Sequence, residues 1–270
     1  MLENPRSPRV RAVAKLAKRS ARAETGLYLL EGPQAVREAL TFRPDAIVEL
    51  FVTPNGWDKH PDIKTKAADA DIEAVYVTDY VLAAMADTVT PQGLVAVVSQ
   101  TPTALADVFT AAPRLIAICE EIRDPGNLGT IIRAADAAGA DAVVLTGKTV
   151  DPYNPKVVRA TTGSLFHLPV SIGGDLADVV EQAHGAGLEV FAADVKGDDL
   201  LAARAAGMLA CPTAWLFGNE ARGLDDGALE LADQVLKLPI FGRAESLNLA
   251  TAASVCLYES AFAQRAASVS

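Results

Sequence analysis

Short apolar runs alternate with Ala-rich segments of helical spacing through the second half of the chain. Five of the runs have the length of a strand and are almost continuously apolar: RLIAICE, DAVVLTG, HLPVSIG, LEVFAAD and TAWLFG. Strands of this composition are covered on both faces, so the pattern predicts a parallel sheet in an α/β domain. Ligands of such sheets bind at the carboxyl ends of the strands, which makes the loops after these runs the candidate site.

In the first hundred residues, short β-like runs also alternate with helical stretches. The β-like runs ELFVTP, EAVYVTD and GLVAVVS are separated by helical stretches such as GPQAVREAL and YVLAAMADT, which predicts a small α/β unit. The segment SQTPTALAD is polar and contains Pro102, as linkers often do. We therefore predict a first domain over residues 1–100, a linker over 101–107 and a second domain over 108–270.

Composition narrows the class of protein. Half of the 270 residues are hydrophobic, and polar residues interrupt the apolar stretches before they reach the roughly 18 to 20 residues of a membrane span. The N-terminus lacks an apolar signal core, so we expect a cytoplasmic protein without a membrane segment. Cys119, Cys211 and Cys256 lie in apolar runs without metal-ligand spacing, which predicts buried reduced thiols and no metal site.

The net charge of −10 is unevenly distributed. Residues 1–23 carry seven basic side chains and one acidic side chain. Five of the basic residues recur three or four positions apart and would share one side of a single helix, as a stripe facing phosphates: Arg11, Lys15, Lys18, Arg19 and Arg22. A solvated terminal helix explains the same pattern, so the stripe alone does not establish a polyanionic partner.

A first motif, EIRDPGNLGTIIRAADAAGA, follows the strand-like run RLIAICE. Its apolar spacing predicts a helix that Asn127 caps and Gly139 ends. Helical side chains lean toward the N-terminus, so we expect Arg133 to reach back over Gly129 toward the loop that holds Asn127. The chain has neither a G-x-G-x-x-G motif after the first strand nor a P-loop, which weakens a dinucleotide or nucleoside triphosphate function.

Two further motifs lie nearer the C-terminus. In LFGNEARGL, the carboxylate of Glu220 comes directly after a strand that is built for the core. In KLPIFGRAESLNLATAASVCLYESAF, we predict a short strand ending at Pro239, a loop, and a helix from Ser246 to about Ala263 that Ser246 caps. This helix is apolar on nearly every face and is expected in a core or an interface. Asn248, in its first turn, then needs a polar partner.

The three motifs in this order resemble the SpoU (TrmH-like) family of RNA ribose methyltransferases. The resemblance covers about residues 113–264 and includes DPGNLGTIIRAADAAGA, LFGNEARGL and LPIFGRAESLNLATAA. The stretches YLLEGPQAVREAL and TPQGLVAVV are similar to the small substrate-binding domain of members that act on ribosomal RNA. The resemblance implies methyl transfer to a ribose 2′-hydroxyl, with ribosomal RNA favoured over transfer RNA because of this separate domain.

The resemblance also implies a fold, a cofactor and a site. The fold is a parallel-sheet SPOUT domain with a trefoil knot, the cofactor is S-adenosylmethionine, and a homodimer completes the active site. The family's polar active-site positions are matched by Asn127, Arg133, Glu220, Ser246 and Asn248. Its cofactor-binding positions correspond to Thr146, Gly218, Leu238, Ile240 and Leu247.

The role of Arg133 is open between a general base and a stabiliser of the developing oxyanion. A guanidinium has a very high pKa, which makes literal proton abstraction demanding, so we favour the second role. Two other functions remain as alternatives to a methyltransferase. One is a non-catalytic RNA-binding protein, and the other is a nucleotide-cofactor enzyme on an ordinary doubly wound sheet.

Overall fold

The computed structural model describes residues 1–267, and the chain forms two compact units. The first unit comprises Met1–Thr101 and Asp151–His167. The second comprises Pro102–Val150 and the chain from Leu168 onward. A short segment between two strands of the second unit is therefore part of the first unit, which no local pattern in the sequence indicated.

The first unit is built on a mixed four-stranded sheet. Its strands are β1 (Leu27–Glu31), β2 (Ile47–Val52), β3 (Ala74–Tyr76) and β4 (Leu94–Ser99). Its first six helices are α1 (Pro8–Lys15), α2 (Arg19–Thr25), α3 (Pro33–Phe42), α4 (Pro54–Lys59), α5 (Pro61–Asp69) and α6 (Asp79–Met85). The strand order is β1-β4-β2-β3, in which β4 is antiparallel to both neighbours and β3 is parallel to β2. The predicted small α/β unit is confirmed.

The basic N-terminal segment is two helices, so the prediction of one continuous stripe is wrong. Arg22 is only 2% exposed. Its guanidinium pairs with Asp151 at 2.7 Å and donates to the carbonyl groups of Leu16 and Ala17 at 2.8 and 2.9 Å. A charge that is buried and paired in this way is not available to phosphate. The other four members of the predicted stripe are exposed: Arg11, Lys15, Lys18 and Arg19.

The second unit contains a six-stranded sheet in which every neighbouring pair is parallel. The strand order is β10-β8-β9-β5-β6-β7. In chain order the elements are α7 (Leu105–Thr110), β5 (Leu115–Glu120), α8 (Pro125–Ala138), β6 (Ala142–Thr146), α9 (Pro155–Thr161, in the first unit), β7 (Val170–Ile172), α10 (Leu176–Gly185), β8 (Glu189–Asp199), α11 (Leu200–Ala205), β9 (Thr213–Phe217), α12 (Asp226–Glu230), β10 (Gln234–Lys237) and α13 (Leu249–Ala267). The five apolar runs are β5 to β9, so the predicted parallel sheet is confirmed.

The pairing of β8 with β10 is interrupted. Val235 pairs with Ala192, but the next residue, Leu236, pairs with Asp198, so residues 193–197 bulge out of the strand. A Cβ atom on Gly197 would lie 2.4 Å from the carbonyl of Val235. Only glycine allows this close backbone contact, which fixes the position of the bulge.

The C-terminal helix α13 packs against α8. The hydroxyl of Tyr258 donates to the carbonyl of Ala137 at 3.2 Å, and Ser260 accepts a hydrogen bond from the buried indole of Trp215 at 2.9 Å. The predicted start at Ser246 is wrong, because the helix begins at Leu249. Within residues 1–267, no helix has the length and hydrophobicity that crossing a membrane requires.

Candidate active site

The loop after β5 leads directly into α8. Asp124 caps this helix by accepting a hydrogen bond from the backbone N–H of Asn127 at 2.8 Å, and Pro125 occupies the first helical position. The prediction that Asn127 is the cap is therefore wrong, and its side chain is free for other contacts. Gly139 ends the helix with φ 76°, as predicted.

Asn127 is the centre of a hydrogen-bonded chain that joins all three motifs. The side-chain amide of Asn248 donates to the Asn127 side-chain oxygen at 2.9 Å. The amide of Asn127 in turn donates to the Glu220 carboxylate at 3.3 Å. Residues separated by about a hundred positions in sequence thus meet at the carboxyl edge of the sheet, where parallel sheets bind their ligands.

Glu220 binds the start of α8 through its carboxylate. The backbone N–H groups of Arg123 and Asp124 donate to it, with shortest distances of 3.1 and 2.9 Å. Partial burial acts to raise the pKa of Glu220, but these donors and the amide of Asn127 outweigh it, and the pKa lies below its ordinary value. Glu220 is therefore an anion at neutral pH that fixes the loop between β5 and α8.

Asn248 is the N-cap of α13. Its side-chain oxygen accepts hydrogen bonds from the backbone N–H groups of Ala250 and Thr251 at 2.9 and 3.2 Å, while its amide donates to Asn127. Ser246 lies before the helix and does not cap it. Both functional groups of the Asn248 side chain are therefore hydrogen-bonded. Asn127 is the polar partner that the sequence analysis expected for Asn248.

A cavity of about 360 Å³ opens beside this network. Three segments line it: residues 193–196 of the β8 bulge, residues 219–224 after β9, and the chain between β10 and α13. Five of the predicted site residues are among its lining residues: Glu220, Leu238, Ile240, Ser246 and Leu247. Gly218 lies directly before the second segment, and a Cβ atom on it would be 2.6 Å from the backbone of Gly223.

The other five predicted site residues lie outside the cavity lining: Asn127, Asn248, Gly218, Thr146 and Arg133. Thr146 is fully buried at the end of β6, and its hydroxyl lies 3.4 Å from the carbonyl oxygen of Cys119. Arg133 is exposed on α8 and makes no hydrogen bond or ion pair with any residue between 1 and 267. A guanidinium without protein partners is available to a ligand or to a second chain.

Comparison with known proteins adds to this geometry. Residues 114–258 match the SpoU rRNA Methylase family, and residues 7–96 match the MRM3-like substrate binding domain. The 23S rRNA (guanosine(2553)-2′-O)-methyltransferase RlmP of Bacillus subtilis is 33% identical over 261 residues, which cover 95% of this chain and 97% of that protein. The chain belongs to the SpoU rRNA methylase family.

Solved SpoU structures share this fold. The S-adenosylmethionine-bound rRNA methyltransferase of Sinorhizobium meliloti has a TM-score of 0.83 and 30% identity, over 96% of both chains. AviRb of Streptomyces viridochromogenes in complex with S-adenosylmethionine has a TM-score of 0.81 and 29% identity, over 97% of this chain and 100% of that one. The SpoU chain is therefore an S-adenosylmethionine-dependent RNA methyltransferase, and the two alternative functions are set aside.

The cavity beside the hydrogen-bonded chain fits this cofactor. Its volume lies in the range of pockets that hold small molecules. Apolar Leu238, Ile240 and Leu247 form part of the wall, and the close backbone contact of Gly218 with Gly223 fixes the loop that lines the cavity after β9. No cluster of three or more His, Cys, Asp or Glu side chains in the described part of the chain could hold a metal ion.

Sequence reasoning missed Glu121. This residue has φ 52°, in the left-handed region that a non-glycine residue rarely adopts. Its carboxylate pairs with Arg222 and, at 3.6 Å, with Arg123, and its carbonyl accepts from the Asn219 amide at 2.9 Å. Glu121 thereby ties the loop before α8 to the loop after β9. Nothing in the local sequence signals a positive φ at a glutamate.

Proposed function

We propose that this chain methylates a ribose 2′-hydroxyl of ribosomal RNA. The observation that carries the proposal is the chain of hydrogen bonds from Asn248 through Asn127 to Glu220 beside the cavity. RlmP of Bacillus subtilis, similar along nearly its whole length, is named for this reaction on 23S rRNA. A structure concerned with 2′-OH methylation of tRNA covers only 58% of this chain, so transfer RNA is the less favoured substrate.

We propose roles for the polar residues as follows. When bound, S-adenosylmethionine would supply a methyl group on a sulfonium, and the cavity-lining residues Leu238, Ile240 and Leu247 would hold it. Gly218 and Thr146 are assigned to the same role from the family resemblance alone. Asn127, Ser246, Glu220 and Asn248 fix the loops against which the ribose is aligned, since in-line displacement requires alignment of the attacking oxygen.

Arg133 is the proposed stabiliser of the ribose oxygen as it attacks the methyl group and loses its proton to solvent water. Its planar guanidinium offers five donors to a developing negative charge and does not itself accept a proton at neutral pH. The exposed position on α8, without a partner in residues 1–267, leaves these donors available. This is a role that neither a lysine ammonium nor an amide reproduces.

The test of this proposal is the variant Arg133→Ala. We expect it to fold and to bind S-adenosylmethionine as the parent does, but to transfer methyl groups to 23S rRNA about 100-fold more slowly or worse. Arg133→Lys should restore only part of the loss. Single-turnover transfer by the alanine variant within a few-fold of the parent would remove Arg133 from the mechanism.

We propose that residues 1–100 bind the RNA and that 108–270 carry out the transfer, in the cytoplasm where ribosomal RNA is modified. The match of residues 7–96 to a substrate binding domain supports this division.

We also propose that the chain forms the trefoil knot that the resemblance implies. Its support is the convergence of three distant segments on one cavity with backbone contacts at Gly197 and Gly218.

We propose a homodimer built around α13. Val255 and Phe262 are 37% and 52% exposed on this helix, and the ring of Tyr258 lies 5.5 Å from that of Phe262. Large apolar groups on one exposed helix face are typical of an interface. Light scattering at micromolar concentration should give about twice the 28.2 kDa of the chain. A fully active monomer would contradict the proposal.

A further inference from the structure

A second cavity, of about 310 Å³, lies entirely within the first unit. It opens where β1 and β2 end and β4 begins. Both stretches that carried the resemblance of this region contribute to it: Pro33 belongs to YLLEGPQAVREAL, and residues 91–93 belong to TPQGLVAVV. None of these residues has a part in the methyl transfer proposed above.

Backbone contacts build the wall of this cavity. A Cβ atom on Gly56 would lie 2.6 Å from the carbonyl oxygen of Gly93, and one on Gly93, whose φ is 85°, would lie 2.7 Å from Gly56. Thr53 joins the two loops, because its N–H donates to the Gly93 carbonyl at 2.9 Å and its hydroxyl accepts from the Gly56 N–H at 3.1 Å. The cavity is therefore preformed, and glycine is required at both positions.

The polar side chains of the cavity have unused hydrogen-bonding capacity. Asn55, Lys59 and Gln92 are exposed, and their side chains make no hydrogen bond or ion pair with the residues that the structure describes. Two carboxamides present donors and acceptors together, the combination that reads the edge of a nucleobase. The single carboxylate in the lining, Asp79, disfavours a run of phosphates but can accept from a base amino group or a ribose hydroxyl.

We propose that this cavity binds one unstacked nucleotide of the substrate RNA, with the base edge at Asn55 and Gln92 and the adjoining phosphate at Lys59. Sequence-specific RNA recognition uses bases that are splayed out of a helix, and a preformed cavity receives such a base without reorganising. The inference rests on the proposed function, because it takes RNA as the substrate. It assigns to the first unit a specificity-determining subsite that is separate from the cofactor cavity.

The test compares three variants of the full chain in equilibrium binding to 23S rRNA transcribed in vitro. Gln92→Ala should weaken binding about tenfold without changing the salt dependence, because an amide carries no charge. Lys59→Gln should weaken binding and lower the slope of log affinity against log salt by about one. Lys64→Gln makes the same charge change on the neighbouring helix α5, outside the cavity, and should leave both quantities close to those of the parent.

Photo-cross-linking supplies a second, positional measurement. RNA substituted with 4-thiouridine should cross-link to peptides spanning residues 54–60 or 88–93. Cross-links confined to other segments, or Gln92→Ala and Lys59→Gln both binding like the parent, would overturn the proposal.

A free nucleotide has the same chemistry as one nucleotide of an RNA, so the four nucleoside 5′-monophosphates are titrated separately. We expect affinities no better than about millimolar, because a single nucleotide lacks the rest of the RNA contacts. A micromolar affinity that Gln92→Ala abolishes would make the cavity a free-nucleotide site and refute the RNA assignment.

Methyl transfer by the parent to 23S rRNA is measured independently. Failure of methyl transfer by the parent would count against the proposed function. Normal methyl transfer by the parent, with Gln92→Ala and Lys59→Gln binding RNA as tightly as the parent does, would count against this subsite alone.

Discussion

Replacing Glu220 by glutamine tests whether its charge holds the site together. The carboxylate accepts hydrogen bonds from three donors, the N–H groups of Arg123 and Asp124 and the amide of Asn127. In Glu220→Gln one oxygen becomes an amino group, which cannot accept from Arg123, and the remaining oxygen is neutral. A hydrogen bond to a charged group contributes about 1 kcal/mol more than one between neutral groups. Because Glu220 is exposed to solvent, which weakens each bond, we expect Glu220→Gln to lower the free energy of unfolding by about 1–2 kcal/mol in total.

The dependence of this loss on pH identifies its cause. The pKa of Glu220 is lowered in the folded protein, so its contribution to stability is fully present above the unfolded pKa of about 4.3 and is lost as pH falls through the folded pKa. The parent should therefore be more stable than Glu220→Gln at neutral pH. Below the folded pKa the parent side chain is protonated as well, and the difference in the free energy of unfolding should vanish.

Tryptophan fluorescence in urea provides the assay. The chain has two tryptophans, and Trp57→Phe leaves the fully buried Trp215 as the reporter of the second unit. Glu230→Gln, at the end of α12, removes the same charge from an exposed side chain without a partner in residues 1–267 and should change the free energy of unfolding by less than about 0.5 kcal/mol. A loss in Glu220→Gln that does not shrink as the pH is lowered, or that equals the loss in the control at pH 7, would refute the reasoning.

Three further predictions concern other parts of the molecule. Gly218→Ala should weaken S-adenosylmethionine binding in calorimetry by about tenfold or more, because its Cβ would lie 2.6 Å from the backbone of Gly223. Arg22→Gln should destabilise the first unit by about 3 kcal/mol in urea unfolding, because it leaves the Asp151 carboxylate without its buried partner. When four exposed N-terminal cations are changed to glutamine, the salt dependence of RNA binding should fall in slope by about one for each phosphate that is no longer neutralised; the four are Arg11, Lys15, Lys18 and Arg19.

The sequence predicted the parallel sheet and the location of the site because both depend on local signals. Apolar runs of strand length mark strands covered on both faces, and polar residues directly after such runs lie at the carboxyl edge. Glu220 is one of these: β9 is buried at every position, and the carboxylate follows three residues after its end. The helix after β5 was likewise visible from its spacing, and its end at Gly139 from the preference of a left-handed cap for glycine.

Helix starts were predicted less well, because several adjacent residues can cap. Ser246 and Asn248 are both favourable N-caps, as are Asp124 and Asn127, and propensity does not separate them. The structure uses Asp124 and Asn248 as caps. At α8 the cap is Asp124, and the Asn127 side chain bonds instead to Glu220 and Asn248. At α13, Asn248 caps the helix and also bonds to Asn127. Neither arrangement follows from the capping propensities of the residues, because both depend on partners distant in sequence.

Long-range partners also explain the error at Arg22. Its position in a basic run made it a candidate for phosphate binding, but Asp151 lies 129 residues away in sequence and pairs with it in a buried contact. A charged side chain that is buried must be paired, and the partner cannot be identified from the run in which the charge occurs. The four exposed cations around it remain candidates for phosphate contacts, which is one residue fewer than the spacing indicated.

The contacts of Asn248 connect the cofactor cavity to the proposed catalytic helix. Its oxygen holds the first turn of α13, and its amide holds Asn127 in the first turn of α8, the helix that carries Arg133 two turns later. The chain between β10 and α13, which lines the cavity, ends at this residue. One side chain therefore fixes both the end of a cavity-lining segment and the start of the helix that carries Arg133. Because an asparagine has one acceptor and one donor group on the same amide, it can hold both, whereas a serine or aspartate at this position would cap α13 equally well and leave Asn127 without this donor in the right place.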